Sequence, residues 1–208
     1  MEEKLAGLEE YRKMNPNQLT QEQLAALERE LERPRKRTVS DELVDYRFWR
    51  RGLPSRQELF ATYLKSILPP GRLRILEVGS GRRARLSVLL HDMGHGVTCM
   101  DPKAEPVDEG IEVRREIFHW EKEDLGKFDY VVAQEPCEAT EHIVRACSRQ
   151  RVPFTVALCG VPHELIGGGM PEDVYAWYDC LEEIDPEYTR LEYIQIYPGM
   201  DVAVIHSV

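Results

Sequence analysis

The stretch ILEVGSGRRA, residues 75–84, decides the fold class of this chain of 208 residues. A short apolar run leads into Gly79 and Gly81, and a run with helical character follows. Glycines in such a turn let the backbone approach a ligand closely, and the first N–H groups of the helix behind them are unpaired. A GxGxxA turn between a strand and a helix therefore predicts a nucleotide-binding unit.

Two carboxylates narrow the class of nucleotide. Glu77 stands two positions before the first glycine, where it would face a ligand with an ammonium group and repel a pyrophosphate. Asp101 ends the next apolar run, 20 residues after Gly81, where a carboxylate can accept both hydroxyls of a ribose. In the alternative interpretation Glu77 pairs with an arginine such as Arg74 or Arg82, and Asp101 simply starts a turn.

With these residues the chain resembles the class I S-adenosylmethionine-dependent methyltransferases over residues 73–208. The resemblance is carried by acidic-x-Gly-x-Gly, an acidic end to the second strand and a terminal strand pair. It implies that the glycine turn holds the methionine part of the cofactor, that Asp101 holds the ribose and that the end of the third strand contacts adenine. The cofactor-binding residues implied in this way are Glu77, Gly79, Ser80, Gly81, Asp101, Glu116, Ile117 and Gln134.

The chain departs from the family at two places. Arg83 stands where many members have a third glycine, and its side chain could crowd the cofactor or point away. The Asn/Asp-Pro-Pro-aromatic tetrad of amino-methylating members is absent, and Gln134 opens only a faint echo of it. The resemblance therefore identifies no catalytic residue, and methyl transfer of this kind requires no metal.

Apolar runs alternate with helical runs after residue 72, which predicts βαβ units and a parallel sheet. Strands are predicted at 74–78, 96–100, 111–115, 128–133 and 152–158, with helices near 84–93, 139–150 and 171–184. The runs 188–197 and 202–206 are separated by only four residues, so they must pair antiparallel. We expect an α/β three-layer sandwich whose mostly parallel twisted sheet ends in an antiparallel hairpin.

The first seventy residues differ from the rest. They read as helices separated by breakers, one at 21–32 and another beginning near Ser55. We therefore predict two parts: an N-terminal helical extension or lid over residues 1–70, and a Rossmann-like methyltransferase domain over residues 71–208.

The charge distribution favours a small-molecule acceptor. The chain has 27 basic and 37 acidic residues, a net charge of −10, which disfavours general binding of polyanions. Residues 33–89 nevertheless carry 14 basic and 5 acidic side chains, and Arg47, Arg50 and Arg51 are interleaved with aromatic residues. This segment either packs on the sheet domain or binds a structured RNA, which stays open as an alternative partner.

The five cysteines form no CxxC pair, which favours buried thiols in a reducing cytosol over disulfides or a zinc site. Cys137 is interpreted as a structural or incidental thiol, with a nucleophile as the alternative. His163 is interpreted as a solvated loop histidine, with a general base as the alternative. No apolar run is long enough to span a bilayer and the N-terminus is acidic, so we expect a cytoplasmic protein with no membrane partner.

Three functions fit these observations. The first is a methyltransferase that uses S-adenosyl-L-methionine, or a binding relative of one. The second is an NAD(P)-linked oxidoreductase, against which stand Glu77, the long N-terminal segment and the terminal hairpin. The third is an interaction protein that keeps the fold without catalysis.

Overall fold

A computed structural model describes residues 54–107, 110–197 and 200–208. The contacts group Gln57–Val208 into one unit. The elements in chain order are α1 (Arg56–Ile67), β1 (Arg74–Val78), α2 (Arg85–Asp92), β2 (Gly96–Met100), β3 (Ile111–Arg114), β4 (Tyr130–Gln134), a 3₁₀ turn (Cys137–Ala139), α3 (Thr140–Gln150), β5 (Phe154–Ala157), α4 (Val174–Glu182), β6 (Thr189–Tyr197) and β7 (Met200–Ser207).

Some predictions fall outside the described residues. These are the helix at 21–32 and the three arginines proposed to meet RNA, Arg47, Arg50 and Arg51. The division of the chain at residues 70 and 71 also stays a prediction.

The described strands form one sheet in the order β3-β2-β1-β4-β5-β7-β6. The first five strands of this chain are parallel, and β7 runs antiparallel to both β5 and β6. The predicted fold class, a mostly parallel sheet that ends in an antiparallel hairpin, is thus confirmed. The hairpin inserts β7 between β5 and β6, whereas the dinucleotide-binding fold has the strand order 3-2-1-4-5-6.

Several element boundaries differ from the predictions, and at two of them a local hydrogen bond gives the reason. The strand predicted from 128 begins at Tyr130, since the Phe128 N–H is used in a turn, donating to Leu125 O at 2.9 Å. The helix predicted from 171 begins at Val174, because the Asp173 carboxylate accepts the N–H groups of the second and third helical residues. The strand predicted over 152–158 is confined to Phe154–Ala157.

The core lies around the central strands β4 and β5, whose residues are buried on both faces. Such strands read as continuous apolar runs because helices cover both sides of a parallel sheet. Helix α3 contributes Ile143, Val144 and Cys147, all fully buried. Among the residues described, no helix combines the length and apolar character needed to cross a membrane.

Candidate functional site

The strand order reverses between β1 and β4, which makes their carboxyl ends the expected place for a ligand. In open parallel sheets the connections leave a crevice at this switch point. All residues that the sequence analysis proposed for the cofactor lie at or just after the carboxyl ends of β1 to β4.

The glycine turn after β1 is tightly packed at one glycine and open at the other. Gly79 has φ +71° and Gly81 has φ +66°, a region that side chains disfavour. A Cβ on Gly79 would lie 2.9 Å from Cβ and 3.0 Å from Cα of Pro136, which follows β4. A Cβ on Gly81 would meet nothing within 4 Å. The loop after β4 therefore packs directly against the glycine turn.

Asp101 joins the ends of β1 and β2. Its Oδ2 accepts the Gly81 N–H at 3.0 Å, and its Oδ1 accepts the Lys103 N–H at 2.7 Å. The bond from the Lys103 N–H forms the turn that the alternative interpretation of Asp101 predicted. The bond from the Gly81 N–H links the same carboxylate to the glycine turn. Each oxygen keeps acceptor capacity for a further donor. Asp101 can thus hold its loop and bind a ligand at the same time.

Glu77 lies beneath the turn and is only 3% exposed. It accepts a hydrogen bond from the Ser87 hydroxyl on α2, and its side chain does not line the cavity described below. Burial raises the pKa of Glu77 to about 7, an effect that the hydrogen bonds from Ser87 partly offset and that Asp101 slightly reinforces. The Glu77 carboxyl group is therefore protonated far more readily than an exposed glutamate.

The two arginines proposed as partners of Glu77 pair with other carboxylates. Arg74 Nη2 lies 2.6 Å from Asp129 Oδ1, and Arg82 Nε lies 2.7 Å from Glu105 Oε1, so both guanidinium groups pair elsewhere. Arg83 is exposed and is not part of the cavity wall. The crowding considered for Arg83 is not seen at the cavity.

A cavity of about 360 Å³ opens beside the glycine turn. Gly79 and Asp101 line one side of it, and the segment after β3 lines another. Ile117 is 77% exposed there, whereas its neighbour Phe118 is 3% exposed. Of the proposed cofactor residues, four line the cavity, namely Gly79, Asp101, Glu116 and Ile117, and four do not, namely Glu77, Ser80, Gly81 and Gln134.

The structure also brings together three side chains that the sequence analysis treated separately. Cys137, Cys159 and His163 place their sulfur and ring nitrogen atoms within 4.8 Å of one another. His163 is half-buried, with Nε2 3.1 Å from Cys159 Sγ, so its interpretation as a solvated loop histidine is wrong. The order of the strands could have indicated this cluster. Cys137 follows β4 and Cys159 follows β5, and the ends of these two strands meet if the strands are neighbours in the sheet.

The environment of Cys159 favours its thiolate. The hydrogen bond from Cys137 has the largest effect on its pKa, burial opposes it, and a backbone hydrogen bond at Val161 and the neighbouring His163 add to it. Together they lower the pKa of Cys159 below its ordinary value. The Cys147 thiol behaves in the opposite way, because burial alone strongly raises its pKa.

Comparisons with known proteins bear on the fold. No family model and no curated protein matches this sequence. Among solved structures, a chain of the fibrillarin/Nop5p complex is 15% identical, with a TM-score of 0.50 over 73% of this chain and 80% of that chain.

Two further solved structures align at lower TM-scores. The glycopeptide N-methyltransferase MtfA complexed with S-adenosyl-L-methionine is 13% identical, with a TM-score of 0.47 over 74% of this chain and 93% of that chain. A ribosomal protein L11 methylase from Lactobacillus delbrueckii subsp. bulgaricus is 15% identical, with a TM-score of 0.47 over 76% of this chain and 80% of that chain. At these identities the likeness concerns the fold alone.

Proposed function

We propose that this chain, which has the Rossmann-like methyltransferase fold, is a cytosolic enzyme. It would transfer a methyl group from S-adenosyl-L-methionine to a small-molecule acceptor. The observation that carries this proposal is the cavity at the switch point. It is bounded by the glycine turn, a carboxylate with spare acceptor capacity at the end of β2 and an exposed apolar residue after β3. The glycine turn suits the methionine tail of the cofactor, the carboxylate suits its ribose and the apolar residue suits its adenine.

The residues present fit the nucleoside end of this cofactor. Asp101 would accept the ribose hydroxyls, while Ile117 would cover a face of the adenine and Glu116 would lie at its edge. The turn of residues 79–81 would hold the methionine part, with Gln134 at the end of β4 close by. Glu77, whose described partner is Ser87, would act from below by supporting the turn.

The cofactor, when bound, supplies a sulfonium whose methyl group is open to in-line attack. The part played by this chain is to bind the nucleoside, fix the direction of the sulfonium and exclude water from the crevice. Orientation of this kind accounts for a large share of the rate in transfers between two bound groups.

The sheet argues against an NAD(P)-linked oxidoreductase built on the same fingerprint. That fold continues with a sixth parallel strand next to the fifth. Here the antiparallel strand β7 occupies the place beside β5, with its register set by Thr155 opposite His206. Titration with NADH provides the direct check, and saturable binding of NADH without binding of S-adenosyl-L-methionine would reverse the proposal.

We expect Asp101→Asn to weaken binding of S-adenosylhomocysteine by about 10- to 100-fold in isothermal titration calorimetry, since it removes a charged acceptor for hydroxyl groups. Asp92→Asn is the matched control, because Asp92 is an exposed carboxylate at the end of α2. Wild-type protein that binds neither S-adenosylmethionine nor S-adenosylhomocysteine at millimolar concentration would contradict the proposal. Equal affinity in both variants would show that the ribose lies elsewhere.

A second binding prediction concerns Ile117. Ile117→Ser should weaken S-adenosylhomocysteine binding by about 5- to 10-fold, because about 1 kcal/mol of apolar burial against the base is lost. The free energy of unfolding should hardly change, since the side chain is already 77% exposed. Ile67→Ser, at an apolar residue that is 39% exposed at the end of α1, is the control. An unchanged affinity for Ile117→Ser would remove the adenine from this part of the cavity.

A further inference from the structure

Two neighbouring strand ends and one loop build a cluster of soft ligands beside the proposed cofactor site. Cys137 begins the 3₁₀ turn after β4, and Cys159 follows β5. The two strands are parallel neighbours in register, with Gln134 opposite Ala157, and the Glu135 N–H donates to Ala157 O at 2.8 Å. Parallel strands end at the same edge of a sheet, which brings the two sulfur atoms together.

The third ligand is held in place by the helix behind it. His163 lies four residues after Cys159, and its Nε2 is 3.1 Å from Cys159 Sγ. Its ring packs edge-on against Trp177 of α4, with ring centroids 5.2 Å apart, and Trp177 is 1% exposed. The next residue, Tyr178, donates its hydroxyl to Cys159 O at 2.8 Å. The helix therefore fixes both the imidazole and the backbone that carries the thiol.

The backbone near Cys137 adopts a strained conformation that places its thiol in the cluster. Glu135 and Cys137 both have φ +52°, a left-handed conformation that costs side-chain-bearing residues roughly 1–2 kcal/mol each. Pro136 lies between them, against the Gly79 turn. This conformation brings the half-buried Cys137 thiol within reach of Cys159 and His163.

We propose that Cys137, Cys159 and His163 form a binding site for a zinc ion or a similar borderline-soft divalent transition metal. Two sulfurs and one imidazole nitrogen are ligands that zinc prefers, at about 2.3 Å and about 2.0 Å. Tetrahedral coordination at those lengths places two sulfurs about 3.8 Å apart, and the three ligand atoms already lie within 4.8 Å. Three protein ligands leave a fourth position for water or another small ligand, as in zinc sites that take part in chemistry.

The sequence spacing hid this site. Zinc sites are recognised in sequences by close cysteine pairs, whereas Cys137 and Cys159 are 22 residues apart and lie on different strand ends. Among the residues described, this is also the one group of three such ligand types whose atoms lie this close together. The site is independent of the methyltransferase proposal, because its ligands are not residues of the cofactor cavity.

The test is metal binding to the reduced, chelator-treated full chain, with Zn²⁺ and Co²⁺ as probes. We expect one Zn²⁺ per chain with a Kd below about 1 µM. One Co²⁺ should give tetrahedral d–d bands and a thiolate-to-cobalt charge-transfer band of two-sulfur intensity, and Zn²⁺ should abolish both. Cys159→Ser and His163→Asn should each weaken Zn²⁺ binding by on the order of 100-fold or more, since loss of an outer partner already costs 10- to 100-fold.

Cys180→Ser is the matched control, because Cys180 is a half-buried thiol on α4 outside the cluster. It should bind Zn²⁺ like the wild type. Circular dichroism shows whether each variant is folded, and the cobalt spectrum of the wild type tests the ligand set without any variant. A Kd for Zn²⁺ above about 1 µM, a cobalt spectrum without sulfur ligation, or unchanged affinity in folded Cys159→Ser would overturn the proposal. So would a Cys137–Cys159 disulfide whose reduced form takes up no metal.

Discussion

We expect Gly79→Ala to lower the free energy of unfolding by about 3 kcal/mol, measured by equilibrium urea denaturation. A left-handed φ costs alanine roughly 1–2 kcal/mol, and overpacking adds a cost of about 1–3 kcal/mol. The added Cβ would lie 2.9 Å from Pro136 Cβ and 3.0 Å from Pro136 Cα, and the backbone atom cannot rotate away. The loop after β4 must therefore move, and it carries the walls of two proposed sites.

Gly81→Ala provides a close control for this prediction. Gly81 has nearly the same φ, +66° against +71°, but its added Cβ meets nothing within 4 Å. We expect a loss of about 1 kcal/mol from backbone strain alone. The difference between the two variants then measures the Pro136 contact. Equal losses in Gly79→Ala and Gly81→Ala would show that the loop after β4 does not rest on the turn.

The second large effect concerns the pH dependence of stability through Glu77. Burial raises the pKa of this carboxyl group to about 7 in the folded chain, from 4.5 as the ordinary value. Because the folded pKa is raised, the contribution of Glu77 to stability is fully present below pH 4.5 and is lost as pH rises through about 7. The difference corresponds to about 3 kcal/mol in the free energy of unfolding.

Glu77→Gln removes this titration and keeps an oxygen that can accept the Ser87 hydroxyl. The variant should match the wild type near pH 4.5 and become more stable than the wild type by up to about 3 kcal/mol near pH 8. Urea denaturation of both proteins over this pH range measures the difference. Glu112→Gln is the control, since Glu112 is an exposed strand carboxylate that also accepts a hydroxyl hydrogen bond, from Thr98. Parallel curves for Glu77→Gln and the wild type would refute the expectation.

Regular patterns in the sequence predicted the sheet well. The strands at 74–78 and 96–100 match the structure to the residue, because each is a short buried run ended by a glycine or an aspartate. The antiparallel hairpin followed from the length of its connection alone. Predicted boundaries were wrong where local hydrogen bonds decided them, as at Asp173, whose carboxylate caps α4.

The sequence predicted that the glycine turn and Asp101 lie close together, but it did not predict where the Glu77 side chain points. The glycine turn and Asp101 were identified because their spacing in a βαβ unit places them at one edge of the sheet. The direction of the Glu77 side chain, toward Ser87 and away from the cavity, was not predictable from the strand pattern. It depends on how α2 packs beneath the turn.

The sequence by itself determined the parallel sheet and its terminal hairpin, because the length of the connection between two strands decides whether they can run parallel or antiparallel. Only the tertiary structure decided which distant side chains meet. Two such contacts form where β1, β4 and β5 end side by side. One is the packing of Pro136 against Gly79, and the other is the cluster of Cys137, Cys159 and His163. Contacts between residues far apart in the chain are set by the packing of whole elements, and no local pattern records them.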